Sequence, residues 1–141
     1  MDWEDSLTIH SPRFPERYPN DANVTWIVSG SEGYNVIVTF QEFSLESGFD
    51  FLKIGFGADP TNHSTRLVTL TGASLPEDVV SATNEMWLRF TSDFSVTDKG
   101  FLIDVSLQNR SGYLKNSCSY YYYSKFVEKK LSLFFKNYSV Y

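Results

Sequence analysis

The stretch EMWLRFTSDFSVTDKGFLIDVSL, residues 85–107, contains the clearest structural pattern in the chain. Apolar and polar residues alternate with a period of two on both sides of a polar loop at residues 92–95 and a turn at residues 98–100. Successive side chains on a strand point to opposite faces, so this alternation is typical of strands with one buried face. The stretch therefore predicts two β-strands joined by a loop.

The same alternation occurs at short intervals earlier in the chain, with glycine-containing turns between the segments. The apolar face of one predicted strand holds Val24, Trp26 and Val28, that of the next holds Val36, Val38 and Phe40, and shorter candidates cover residues 50–56 and 66–70. Many short strands separated by turns indicate an all-β sandwich or barrel. We expect Trp26 and Phe40 in the core and Trp87 on the other face of a sheet.

The composition changes after about residue 108, which divides the chain into a domain at residues 5–108 and a tail at residues 109–141. The tail is rich in Tyr and Lys, with four consecutive tyrosines at residues 120–123. We expect it to be poorly ordered and outside the domain. A short amphipathic helix at residues 125–136 is the alternative, although the segment has no clear cap.

The charge distribution excludes some partners. Residues 1–108 hold 16 acidic and 6 basic residues, and an acidic domain of this kind is unsuited to nucleic acid, whose phosphates select clustered Lys and Arg. The longest apolar stretches are only strand-sized, so we expect no direct membrane insertion. Cations and basic proteins suit this domain better.

Localisation is indicated by modification motifs more than by cysteines. Four segments fit the N-glycosylation acceptor pattern, at Asn23, Asn62, Asn109 and Asn137, and together they favour an extracellular or cell-surface location. The first residues do not form a signal peptide, since a basic start and an apolar stretch are lacking. The single Cys118 has no intramolecular disulfide partner, so it carries no information on redox compartment.

Three loop carboxylates are the candidate site. Glu46 and Asp50 flank a short turn between two predicted strands, and Asp93 follows the strand at residues 85–91. If both loops reach one end of the sandwich, the three acids converge, and convergent carboxylates favour a cation such as calcium, which takes hard oxygen ligands. From spacing alone, three ordinary solvated loop acids are an equal alternative.

An ordered set of motifs resembles the CUB domain over about residues 5–107. The segments that carry the resemblance are residues 11–20, 24–27, 32–34, 43–46, 49–54, 70–72, 88–95 and 99–101. Each segment alone is weakly specific, whereas the set in this order is specific. The resemblance implies a jelly-roll-like sandwich of two antiparallel sheets.

The resemblance also implies roles for individual residues. In calcium-binding CUB domains the ligand positions match Glu46, Asp50 and Asp93, Ser95 matches a residue that contributes loop oxygens, and Tyr18 matches a tyrosine whose hydroxyl supports the acids. A Lys or Arg of a protein partner docks on the calcium-held carboxylates in such members. The implied cofactor is Ca²⁺, and the implied partner is a protein with an exposed basic residue.

The chain departs from the family pattern in its cysteines. CUB domains usually carry two disulfides, but Val24 and Thr71 occupy two cysteine positions, a third position falls in the shortened loop between Glu46 and Asp50, and the N-terminal segment with the remaining one is missing. A missing first strand would expose a sheet edge. The shortened loop makes the chain most similar to CUB modules of large CUB-and-sushi multidomain proteins.

Three functional hypotheses follow. The first is a non-catalytic extracellular recognition or adhesion module that depends on calcium at Glu46, Asp50 and Asp93. The second is a structural spacer in a larger extracellular or cell-surface protein, whose acidic end meets no ligand. The third, a hydrolase with Glu46 and Asp50 as paired carboxylates, lacks a predicted sugar cleft, and His10 and His63 have no catalytic spacing, so we expect no enzymatic activity.

Overall fold

The computed structural model describes residues 6–110 and 131–137. Within these ranges the chain forms nine strands and one turn of 3₁₀ helix, His63–Thr65. The strands are β1 (Ser6–His10), β2 (Asn23–Gly30), β3 (Tyr34–Ser44), β4 (Phe51–Phe56), β5 (Arg66–Leu70), β6 (Val79–Val80), β7 (Glu85–Thr91), β8 (Gly100–Asn109) and β9 (Leu131–Asn137). No described helix is long and apolar enough to span a bilayer.

The strands form two sheets in which every pairing is antiparallel. One sheet has the order β1-β8-β3-β6, and the other has the order β5-β4-β7-β2-β9. The predicted all-β sandwich of two antiparallel sheets is therefore confirmed. The strands predicted from alternation are present as β2, β3, β7 and β8, and β3 extends to Ser44 through a register shift between Phe40 and Glu42.

The core lies between the inner faces of the two sheets, as the alternation predicts. Trp26, Phe90 and Phe101 are buried there, and their rings pack edge to face, with centroid distances of 5.9 Å for Trp26–Phe101 and 5.5 Å for Phe90–Phe101. This geometry suits the quadrupoles of aromatic rings. The same buried cluster includes Phe43 and Leu45, so the core extends to the end of the sandwich that carries the acidic loops.

Trp87 covers the outer face of the five-stranded sheet. Its indole lies over Gly55, where an added Cβ would fall 2.3 Å from the ring, and its Nε1 donates a hydrogen bond to Thr65 Oγ1 at 2.9 Å. The indole is 1% exposed. Trp87 is therefore a buried structural residue on the second sheet face, as predicted.

The structure corrects the prediction for part of the tail. Leu131–Asn137 forms β9 and pairs with β2, from Gly30 opposite Leu131 to Val24 opposite Asn137. The interpretation of residues 131–137 as poorly ordered or helical chain outside the domain is wrong. The edge of β2 offers a row of backbone donors and acceptors, and a segment rich in apolar and aromatic residues pairs there more favourably than it forms an uncapped helix. The tyrosines at 120–123 and Cys118 lie outside the described residues.

Strand pairing brings the two acidic loops to one end of the sandwich. Phe51, at the start of β4, is opposite Thr91 at the end of β7. Ser44, at the end of β3, is opposite Gly100 at the start of β8. The loop at residues 45–50 and the loop at residues 92–99 therefore lie side by side, and we call this end of the sandwich the rim.

Candidate metal centre

Three carboxylates converge on the rim. Glu46, Asp50 and Asp93 each offer one oxygen, and these atoms lie within 4.8 Å of one another. They form the only such cluster of His, Cys, Asp and Glu side chains in residues 6–110. The structure thus brings together the three acids that the sequence singles out.

Asp50 is the buried member of the cluster. Its side chain is 0% exposed, and its two oxygens accept hydrogen bonds from different groups, Oδ2 from the Tyr18 hydroxyl at 2.6 Å and Oδ1 from the Asp93 backbone N–H at 2.9 Å. A buried carboxylate is tolerated when such donors replace water. Asp50 therefore links the two rim loops to the core.

Tyr18 supports two members of the cluster with one hydroxyl. The hydroxyl donates to Asp50 and accepts from the Glu46 backbone N–H at 3.0 Å, while the ring packs edge to face on Phe90 at 5.0 Å. Burial, followed by the hydrogen bond to Asp50, raises the pKa of Tyr18 well above its ordinary value. The phenol stays neutral and keeps its proton for Asp50.

Glu46 is a member of the cluster, and its carboxyl pKa is raised. Its Oε2 is shielded from solvent and has no hydrogen-bond partner in the part of the chain that the structure describes. Desolvation, and then the charges of Asp93 and Asp50, raise the pKa of the Glu46 carboxyl above its ordinary value. A shielded carboxylate oxygen without a donor lowers the stability of the folded chain unless a cation or water contacts it.

Asp93 is positioned by its own loop. Its carbonyl accepts from the Asp21 N–H at 2.8 Å, and its Oδ1 accepts from the Ser95 backbone N–H at 3.2 Å. Ser95, named from the resemblance as a source of loop oxygens, thus contacts Asp93 through its amide.

Ser92 fixes the same loop and is not assigned a role by the sequence reasoning. Its hydroxyl accepts from the Ala22 N–H at 2.8 Å and donates to the Pro19 carbonyl at 2.7 Å. Its position next to Asp93 is the only sequence signal of this role.

Thr71 ties the first rim loop to the end of β5. Its Oγ1 accepts from the Gly48 N–H at 3.0 Å and donates to the Glu46 carbonyl at 3.1 Å, and the Leu45 N–H donates to the Gly72 carbonyl at 2.8 Å. The resemblance places a family cysteine at Thr71. Hydrogen bonds therefore connect β5 and this loop at a point where a disulfide is expected.

This donor set fits a calcium ion. The cluster supplies carboxylate oxygens in a partly shielded cup, and calcium takes six to eight oxygen ligands in flexible geometry. The Glu46 Oε2 atom without a donor is the position that a bound cation satisfies most directly. The cluster contains no His nitrogen or Cys sulfur, which are the ligands that zinc prefers.

The acceptor asparagines lie in different settings. Asn62 is exposed and its Oδ1 accepts from the Ser64 hydroxyl at 2.6 Å. Asn23 is half-buried on β2 and accepts from Arg89 Nε at 3.1 Å, while Thr25, its acceptor-pattern partner, is 1% exposed. Asn109 ends β8 and Asn137 ends β9. Glycosylation at these four positions stays a prediction.

Comparisons with known sequences agree on one family. The model of the CUB domain matches residues 2–105. The chain is 35% identical over 102 residues to human Tolloid-like protein 2, covering 70% of this chain and 10% of that protein. It is 38% identical over 106 residues to bone morphogenetic protein 1 of Xenopus laevis, covering 72% of this chain and 15% of that protein. The chain therefore spans only a small part of these relatives.

Solved structures show the same fold. The CUB1-EGF-CUB2 region of human MASP-1/3 superposes with a TM-score of 0.66 at 26% identity, covering 75% of this chain and 42% of that one. The MASP-1 CUB2 domain bound to Ca²⁺ superposes with a TM-score of 0.64 at 22% identity, covering 74% of this chain and 94% of that one. The similarity to CUB-and-sushi modules stays a prediction.

Proposed function

The chain belongs to the CUB family, whose domains are non-catalytic protein-interaction modules of extracellular proteins, and we propose that its rim binds calcium and thereby a basic protein partner. The observation that carries the proposal is the convergence of Glu46, Asp50 and Asp93 within 4.8 Å. In this proposal these three carboxylates hold the ion, Ser95 contributes a loop oxygen, and Tyr18 orients Asp50 and Glu46.

Mutual repulsion is the physical reason for a cation. Three carboxylates at this separation disfavour one another's ionised form, and desolvation together with the charges of Asp93 and Asp50 raises the pKa of Glu46. A divalent ion removes the repulsion and uses the same oxygens as ligands. One relative in fold is itself a calcium-bound CUB domain, which agrees with this chemistry.

A basic side chain is the complementary ligand for the calcium-held acids. A Lys or Arg of the partner would form charge-assisted hydrogen bonds to carboxylate oxygens whose positions the ion holds fixed. The acidic balance of residues 1–108 favours approach of such a partner over nucleic acid. We propose an extracellular or cell-surface setting for this interaction.

The geometry argues against the hydrolase alternative. A retaining glycosidase needs a carboxylate nucleophile that reaches the sugar, and an inverting one needs a carboxylate that activates water. Asp50 is 0% exposed, and both of its oxygens accept protein hydrogen bonds. It is therefore unsuited to either task.

Calcium titration tests the proposal. Isothermal titration and thermal unfolding of the wild-type chain should show a dissociation constant on the order of 10⁻⁴ to 10⁻³ M, as in other extracellular calcium modules, and a stabilisation that grows with calcium concentration. Asp93→Asn should abolish both signals. Magnesium should give a weaker response, since it demands tighter octahedral geometry.

Glu32→Gln is the matched control. It removes the same unit of charge from the exposed turn between β2 and β3, at the opposite end of the sandwich, and should bind calcium like the wild type. Absence of a calcium response in the wild-type chain would refute the proposal and favour the structural spacer.

A further inference from the structure

Large apolar side chains are exposed on the loops that carry the acidic cluster. Phe49 is 61% exposed, Phe94 is 79% exposed and Val96 is 62% exposed. All three belong to the two rim loops. The other large hydrophobic side chains that are exposed in the described chain are Leu67, Leu75 and Val80, which lie on or between β5 and β6 and outside the two rim loops.

Chain connectivity places two of these residues beside the carboxylates. Phe49 directly precedes Asp50, and Phe94 directly follows Asp93. The Asp93 N–H donates to Asp50 Oδ1 at 2.9 Å, so the two loops are joined at the residues next to the exposed rings. Exposed apolar residues and the acids of the cluster therefore alternate along the same two joined loops.

The backbone holds Val96 in an unfavourable conformation. Its φ is 60°, a left-handed value that is unusual for a β-branched residue. The chain around it is fixed, since Arg17 Nη1 donates to the Thr97 carbonyl and the Tyr18 N–H donates to the Asp98 carbonyl at 3.2 Å. Strain that surrounding contacts maintain is concentrated at functional sites, and here it accompanies an exposed apolar side chain.

We propose that the partner segment presents a basic residue flanked by apolar side chains, and that Phe49, Phe94 and Val96 bind those flanks while the calcium-held carboxylates bind the basic group. This inference rests on the proposed function and adds the chemistry of the ligand around the charge. Aromatic side chains next to a charged pair are the residues that dominate interface energetics, because they bury large area and exclude water from the pair.

Two short peptides test the apolar flanks. Acetyl-Gly-Leu-Lys-Leu-Gly-amide and acetyl-Gly-Ser-Lys-Ser-Gly-amide are titrated into the calcium-saturated chain and followed by heteronuclear NMR. We expect the Leu peptide to bind about five- to tenfold more tightly, in line with burial of part of two aliphatic side chains. The double variant Phe49→Ser/Phe94→Ser should lose this preference while its calcium affinity stays at the wild-type value.

Leu67→Ser is the matched control, since it replaces an exposed apolar residue on β5, and it should keep the preference. Equal binding of the two peptides to a chain that binds calcium would overturn this inference and leave the proposed function intact. A wild-type chain without calcium binding would instead refute the proposed function. Calcium-dependent binding to phosphatidylserine vesicles that requires Phe49 and Phe94, with no peptide preference, would show a membrane surface as the ligand and overturn the inference.

Discussion

The rim and the outer edge of β2 are stabilised by different kinds of interaction. At the rim, the side chains of Tyr18, Thr71 and Ser92 hold the acidic loops through hydrogen bonds to backbone and carboxylate atoms. At the edge of β2, antiparallel backbone pairing with β9 satisfies the donors and acceptors of the strand. The rim lies within the CUB match at residues 2–105, whereas β9 lies beyond it.

Two cysteine positions of the family pattern fall in these two regions, Val24 on β2 and Thr71 beside the rim. A disulfide typically contributes about 2–4 kcal/mol. Hydrogen bonds of Thr71 connect β5 to the first rim loop, and β9 pairs with β2. The rim should therefore be sensitive to single side chains, and the edge of β2 to removal of a segment.

Removal of the Asp50 carboxylate should have the largest effect. Asp50→Ala leaves the Tyr18 hydroxyl and the Asp93 N–H without their buried acceptor, at a cost of about 2–4 kcal/mol after some relief of repulsion. Calcium binding should be lost as well. Urea unfolding and calcium titration measure the two effects.

Asp104→Ala controls for loss of a carboxylate, because Asp104 is only half-buried on β8 and its hydrogen-bond donors, Thr8 and Gln41, are both exposed. It should change the free energy of unfolding by less than about 1 kcal/mol. Equal destabilisation by Asp50→Ala and Asp104→Ala would mean that the buried hydrogen bonds of Asp50 contribute no more to stability than those of a half-buried carboxylate.

Deletion of residues 131–141 should break the edge of β2 and spare the rim. Seven residue pairs between β2 and β9 are lost, and since ordering entropy offsets most of the hydrogen-bond gain, we expect a net loss of about 1–3 kcal/mol. The free edge should also promote self-association. Urea unfolding and analytical ultracentrifugation measure these changes.

The calcium affinity of this truncated chain should equal that of the full chain. A large fall in calcium affinity without a fall in stability would show that the rim and the edge of β2 are energetically coupled, which would contradict the separation proposed above.

Tyr18→Phe should weaken the rim without disturbing the core. The ring stays packed on Phe90, while Asp50 loses its hydroxyl donor and the Glu46 N–H loses its acceptor. We expect about 1–2 kcal/mol of destabilisation and roughly tenfold weaker calcium binding, as for other residues that orient metal ligands.

Tyr34→Phe, at the start of β3 and the opposite end of the sandwich, is the control and should leave calcium affinity unchanged. If Tyr18→Phe also binds calcium normally, the tyrosine has only a packing role.

Thr71→Val should have the smallest effect. It keeps the shape of the side chain but removes both hydrogen bonds to the first rim loop. Because Gly48 is exposed, water replaces part of the loss, and we expect about 0.5–1 kcal/mol. Thermal unfolding of this variant is compared with that of Thr69→Val, an exposed position on β5 two residues before Thr71, which controls for a general effect of valine.

Alternation predicts the long strands β2, β3, β7 and β8 most clearly, and the structure shows that Thr25 and Ile27, on the second face of β2, are buried as well. Val24, Trp26 and Val28 are predicted correctly because their period of two repeats over a full strand. β1 and β6 carry too little pattern for this, since β6 is only two residues long and is defined by its pairing with β3. Local composition does not predict β9, because its partner β2 lies about 100 residues earlier in the chain.

The sequence by itself determined the all-β class, the family and the three acids of the candidate site, because these depend on residue type and order along the chain. The three-dimensional structure is needed to establish that the acids converge, since this requires β4 and β7 to pair with Phe51 opposite Thr91. It also decided which acid is buried, which hydroxyl supports it and which segment pairs with the edge of β2. These facts depend on contacts between residues far apart in sequence, whose free energies no local pattern contains.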